Sequence, residues 1–183
     1  PEGTSVGEPA LGRGGYILKD LSYLDPETGK GKTGPTRTPG VQVVEIEADL
    51  ESFTYRLISA STVMDVGNRM NPESMRAMIS GGMAMGLSLA SREAYHYNAD
   101  GIMDTPNLRT YKLMHIGEEP DYRVDFIETP DDTAPFGMRS YSEHGVIAMA
   151  AALGNALSAA FGIDIVTLPL TPERLWRVSE GIK

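Results

Sequence analysis

The feature that most limits what this chain can fold into is the run HGVIAMAAALGNALSAAF, His144 to Phe161, which has no acidic or basic side chain apart from His144 itself. So long an apolar run has to be covered by lipid or by protein. It is rich in Ala and Gly, contains Asn155 and Ser158, and lacks the Leu, Ile and Phe density that drives membrane insertion. The expectation is one helix buried inside protein. Directly before it stands a carboxylate, Glu143. A carboxylate in the first turn of a helix gains about 0.3–1 kcal/mol from the helix dipole, so structure alone could account for it. Yet Gly137 loosens the approach, Arg139 and His144 flank, and everything downstream is apolar. A carboxylate facing a buried pocket suits a general base near neutral pH. The residues by themselves leave both readings open.

Around this run the chain alternates short strand and helix signals. VQVVEIEA (Val41 to Ala48) and TYRLISASTVM (Thr54 to Met64), separated by an acidic turn, predict a β-hairpin. Asn71 as cap, Pro72 at the first helical position and Glu73 in the first turn predict a helix running to about Glu93. Its spacing puts Met75, Met78, Ile79, Met83, Gly86 and Leu87 on one face, with small residues thinning the rest. A turn at Asn98 to Gly101 separates two short strand-like pieces, and DYRVDFIE (Asp121 to Glu128) alternates as a half-buried strand. Another strand is predicted over IDIVTLPL, Ile163 to Leu170. A terminal helix starts at Thr171 and Pro172 and stops at Gly181. The order predicts an α+β fold, a mixed sheet with two main helices and a short C-terminal helix. Residues 1–40 are dense in Gly and Pro and read as a segment draped over a partner, with the folded portion occupying 41–183.

Several functions are disfavoured. A net charge of −9 and no basic patch argue against nucleic acid and acidic membrane surfaces. The absence of cysteine removes disulfides and thiolate metal sites, and no leader-like segment precedes the first strand, so the cytoplasm is the expected location. Gly31, Lys32 and Thr33 imitate the end of a phosphate-binding loop. However, Pro26 replaces its first glycine and the following GPTRTPG cannot open a helix. His96, His115 and His144 are too widely spaced for a metal motif, so no metal ligand is assigned. The methionines of the first long helix read as adaptable core.

Three segments carry a resemblance: DVGNRMNPESMRAMISGGMAMGLSLASREAYHYNADGIMDTPNLRTYKL, PFGMRSYSEHG and DIVTLPLTPERLWRV. In this order they resemble the C-terminal part of the molybdopterin-binding subunit of xanthine oxidase-family molybdenum hydroxylases. The resemblance begins near Leu24 and runs to the C-terminus. It places Glu143 on the family's glutamate beside the molybdenum, Gly137 on a family glycine and Arg139 on its basic position. It implies that Glu143 takes a proton from a molybdenum-bound hydroxyl, which attacks an electron-poor carbon of an N-heterocycle or aldehyde while hydride passes to a sulfido ligand. Met85 falls where the family often has a glutamine, so Met85, Gly86 and Ser142 are the implied cofactor contacts, although a thioether donates no amide hydrogen bond. Ser140, Tyr141, Ser142 and His144 depart from the family pattern, so the substrate does not carry over.

The family's subunit is several times longer. The implied partners are therefore the upstream portion of the same subunit, FAD-binding and [2Fe–2S] subunits or domains, and a second copy of the chain. The isolated chain is expected to be inactive, to hold no molybdenum and to expose an apolar surface. Glu143 is expected to point into a concavity shared with Gly81 to Ser88. The alternative is a non-catalytic assembly module that retains the fold.

Overall fold

The computed structural model describes residues 11–34 and 36–182. The chain divides into two compact units, residues 1–36 and 37–183. In the first, the described residues form turns without regular secondary structure and none is buried. The Asp25 carboxylate accepts from the backbone N–H groups of Glu27 (2.9 Å) and Thr28 (2.7 Å), and Ser22 N–H donates to the Lys32 carbonyl at 2.9 Å. Lys32 thus lies in a turn, and no helix among the described residues follows it before the first strand, so the phosphate-loop geometry is not formed.

The second unit is an α+β arrangement of one sheet covered on one face by helices. Strands β1 (Gly40–Asp49) and β2 (Thr54–Asp65) form the expected antiparallel hairpin, with a bulge between Glu45 and Ile46. Strand β3 (Asp121–Ile127) runs parallel to β2 in the register Ser59 to Asp121 through Asp65 to Ile127. The order is β1-β2-β3. A parallel neighbour requires a crossover, and helix α1 (Pro72–Ser91) and the short α2 (Leu108–Tyr111) lie on it. The Asn71 side chain accepts from Ser74 N–H at 3.1 Å and Pro72 opens the helix, so α1 begins where its cap chemistry predicts. The turn at Asn98 to Gly101 is present, flanked by a single bridge between Tyr97 and Met103.

Helices α3 (His144–Ile147) and α4 (Met149–Phe161) follow β3 and pack on α1 and β1. The core joins Met75, Ile79, Met83 and Leu87 of α1 to Met149, Leu153 and Leu157 of α4, all fully buried, over Val44, Ala60, Met64 and Val124 of the sheet. Burying each such side chain is worth about 1.5–3 kcal/mol. Helix α5 (Pro172–Ser179) closes the fold, capped by the Thr171 hydroxyl accepting from Arg174 N–H, and Gly181 follows at φ 69°.

The structure corrects three expectations. The run from His144 to Phe161 is long and apolar enough to cross a membrane by length and composition, but it is two helices, broken at Ala148 (φ −106°, ψ 0°), rather than one. Ile163 to Leu170 is not a strand. The chain leaves α4 through Gly162 at φ 67° toward the end of α1, where Leu170 N–H donates to the Ala90 carbonyl at 2.7 Å. Pro169 brings no N–H to a ladder. Met78 is 44% exposed rather than buried, because it lies roughly 100° around the helix from the centre of the Met75, Ile79 and Met83 face.

Candidate functional site

The segment leading to Glu143 is clamped from three directions. After β2 the chain turns through Gly67 (φ 67°), which bridges to Met138; a Cβ on Gly67 would overlap the Gly137 carbonyl. Asn68 donates from its backbone N–H to the Gly137 carbonyl (2.9 Å) and from Nδ2 to the Phe136 carbonyl (2.8 Å). These bonds hold Phe136 at φ 56°, a conformation that costs a bulky residue of order 1–3 kcal/mol.

Next, Arg139 sits beside Asp65 at 3.9 Å, with both side chains more than four-fifths buried, and donates from Nη1 to the Arg37 carbonyl at 2.7 Å. Burial raises the Asp65 carboxyl, but N–H donation from Gly67 and Thr129, together with Arg139, outweighs it and holds Asp65 below its ordinary value. Finally the Thr38 hydroxyl donates to the Ser140 carbonyl at 2.6 Å.

Glu143 then occupies the N-cap position of α3. Its side chain caps nothing, and among the described residues it has no hydrogen-bond or ion-pair partner. Behind it α3 presses onto α1 through glycine. A Cβ on Gly82 would meet Gly145 Cα at 3.1 Å, and one on Gly86 would meet Met149 Cβ at 2.8 Å and the Val146 carbonyl at 2.9 Å. Adjacent to Glu143, His144 Nδ1 is buried without a partner, as is Arg139 Nε.

The expected site residues separate accordingly. Glu143 and Ser142 are exposed, and Met85 is 62% exposed. Gly86 is buried, its open side consumed by the contact with α3 and α4. The elements bearing Glu143 and Gly81 to Ser88 are therefore packed against each other. The concavity expected between them is a correction: Glu143 is exposed, and a cleft of about 1000 Å³ lies elsewhere, between α5, the 164–169 segment and the chain around Arg92 to Lys112. A buried pocket needs walls, and the exposed side of Glu143 has none from this chain's described residues.

The residues that sequence reasoning missed are Asn68, Asp65 and the glycine pair Gly82 and Gly145. The glycines carried a signal: each stands in an apolar helical run where only a close helix contact offsets its helix penalty of about 1 kcal/mol. No group of three His, Cys, Asp or Glu lies together among the described residues. The site thus offers a free carboxylate above a tight helix contact. A lone carboxylate supplies too few ligands to hold a bare metal ion.

The family described as molybdopterin cofactor-binding domain matches residues 6–120 of the sequence. The chain belongs to that family. The xanthine dehydrogenase molybdenum-binding subunit of Escherichia coli O157:H7 is 32% identical over 172 residues, covering 87% of this chain and 23% of that protein. The aldehyde oxidoreductase of Desulfovibrio gigas superposes with a TM-score of 0.79 at 25% identity, over 87% of this chain and 17% of that one. The quinoline 2-oxidoreductase of Pseudomonas putida 86 gives 0.71 at 28% identity, over 76% and 18%. This chain is thus a region of a xanthine oxidase-family molybdenum-binding subunit, and it spans less than a quarter of the length of these relatives. The matched family residues end before Glu143.

Proposed function

We propose that this region supplies the general base, Glu143, to a molybdenum hydroxylase that oxidises an electron-poor carbon of an N-heterocycle or aldehyde with oxygen derived from water. The observation that supports it most is the idle carboxylate. Glu143 accepts from none of the first-turn N–H groups, so its carboxylate is not consumed as a cap and is available for proton transfer. The molybdenum cofactor, when bound, supplies the two-electron oxidation. This chain's part is to place the Glu143 carboxylate beside the reacting water-derived oxygen, take one proton onto a carboxylate oxygen and release it to solvent after turnover. Met85 and Ser142, both exposed, contribute packing and hydroxyl contacts to the cofactor, and Gly86 permits the close approach of α1 to α3 and α4.

The remaining walls of the site come from the rest of the subunit, and the electrons leave through FAD and [2Fe–2S] groups on partner subunits or domains in the cytoplasm. A relative named as the gamma subunit of a 6-hydroxypseudooxynicotine dehydrogenase complex supports a multisubunit setting. In the assembled enzyme Glu143→Gln preserves shape and removes the base, so turnover falls by about 10²–10⁴-fold while molybdenum content stays at the wild-type level. Unchanged turnover would instead favour the assembly-module reading.

A further inference from the structure

We propose that Gln42, in the middle of β1, is the positioning residue that fixes where Glu143 stands; this rests on Glu143 being the base. In an unbroken helix the N–H of residue 148 would donate to the carbonyl of residue 144. Here Ala148 N–H donates at 2.7 Å to Oε1 of Gln42, and Nε2 of Gln42 donates at 2.9 Å to the Gly145 carbonyl, with the His144 carbonyl at 3.5 Å. The side-chain amide is spliced into the helix ladder. It receives the Ala148 N–H, whose only backbone acceptor at the break is the Val146 carbonyl two residues back, and covers a carbonyl on the other side of the break.

The amide orientation is dictated by its neighbours, because a backbone N–H must meet the oxygen and a carbonyl must meet the nitrogen. The second N–H of Nε2 goes to the Thr62 hydroxyl oxygen at 3.1 Å, and that hydroxyl donates to the Met83 sulfur at 3.2 Å. Thr62 and Met83 are essentially inaccessible. One acceptor and two donors are thus all used, a set that no other side chain of this length supplies.

The consequence falls on α3. Cut from α4 at Ala148, this single turn does not inherit its position from the longer helix. It is held by the Gly145 to Gly82 contact on one side and by Gln42 on the other. Glu143 lies two residues from Gly145. Gln42 makes no hydrogen bond to Glu143 and acts on it only through the backbone of that turn.

The test uses the assembled enzyme carrying Gln42→Met, which keeps length and loses all three bonds, and Gln42→Asn, which keeps the amide but is one methylene too short to span them. Two readouts are paired: hydrogen exchange of the 144–150 segment compared with 151–161, and steady-state kinetics across pH with molybdenum content recorded. The expected result is exchange of 144–150 at least about fivefold faster, with 151–161 little changed. It is joined by a fall in kcat of about 10–10²-fold at near-constant KM, as a displaced reacting group produces. Should Gln42→Met not assemble, the Asn variant carries the same expectations.

Unchanged exchange, or faster exchange with wild-type kcat while Glu143→Gln is inactive, would overturn the role of Gln42 and leave Glu143 as the base. If Glu143→Gln retains full turnover, the base assignment and the positioning role fall together, and exchange still reports whether the amide holds the turn.

Discussion

Helix α1 carries the same residue types on two sides with opposite fates. Met75 and Met83 are fully buried, while Met78 is 44% and Met85 62% exposed. Gly82 and Gly86 are filled by α3 and α4, whereas a Cβ on Gly81 would meet nothing within 4 Å. The inner side satisfies its packing within this chain. The outer stripe of Met78, Gly81, Met85 and Leu89 leaves flexible apolar side chains and a bare backbone facing outward, on the helix that also backs the turn after Glu143. Composition cannot separate the two faces, because methionine and glycine serve both. The difference is one of angle around the helix and of which neighbour arrives.

The contrast can be broken by substitution. Met83→Ala should cost about 2–5 kcal/mol in chemical denaturation, since it opens a cavity and strips the Thr62 hydroxyl of its sulfur acceptor. Gly145→Ala should cost about 1–3 kcal/mol, because its Cβ would overlap the Ile79 carbonyl and lie 3.0 Å from Met83 N, both backbone atoms that no rotamer change can move.

A pH experiment extends the inner side to its far end. There Tyr55 donates to the Leu170 carbonyl at 2.9 Å, and Leu170 in turn bonds Ala90. Burial pushes the Tyr55 hydroxyl up to about 12. A phenol whose folded value lies above its unfolded one contributes stability that is complete below about pH 10 and lost as pH rises toward 12. Tyr55→Phe should cost about 0.5–1.5 kcal/mol at neutral pH and flatten that share of the alkaline decline in melting temperature. The outer face should respond least. Gly81→Ala should stabilise by about 0.5–1 kcal/mol, and Met85→Ala should stay within about 0.5 kcal/mol. A loss at Met85 matching that at Met83 would abolish the distinction between the faces.

What the sequence disclosed follows the range of the forces involved. The hairpin, α1, β3 and α5 are written in local signals: β-branched alternation, Asn71 with Pro72, and Thr171 with Pro172. The strand expected over Ile163 to Leu170 failed because its β-branched residues had no ladder to join, and Val166 stays 94% exposed. The break at Ala148 was invisible because the side chain that meets its backbone, Gln42, lies 106 residues away. A faint trace existed, since Gln42 shares the inward register of Val44 and Ile46 and is the one amide in that strand. Glu143 was legible as a lone carboxylate beside an apolar run, but its lack of partners emerged only from the folded chain.

The three-stranded sheet has a colloidal consequence. With the order β1-β2-β3, neither outer strand has a second ladder partner among the described residues, and such edges can template association with other chains. Each edge carries regularly spaced charge: Glu45, Glu47 and Asp49 along β1, and Asp121, Arg123 and Asp125 along β3. Two copies of β1 brought side by side would set carboxylates against carboxylates. The β1 edge is thereby guarded against its own kind.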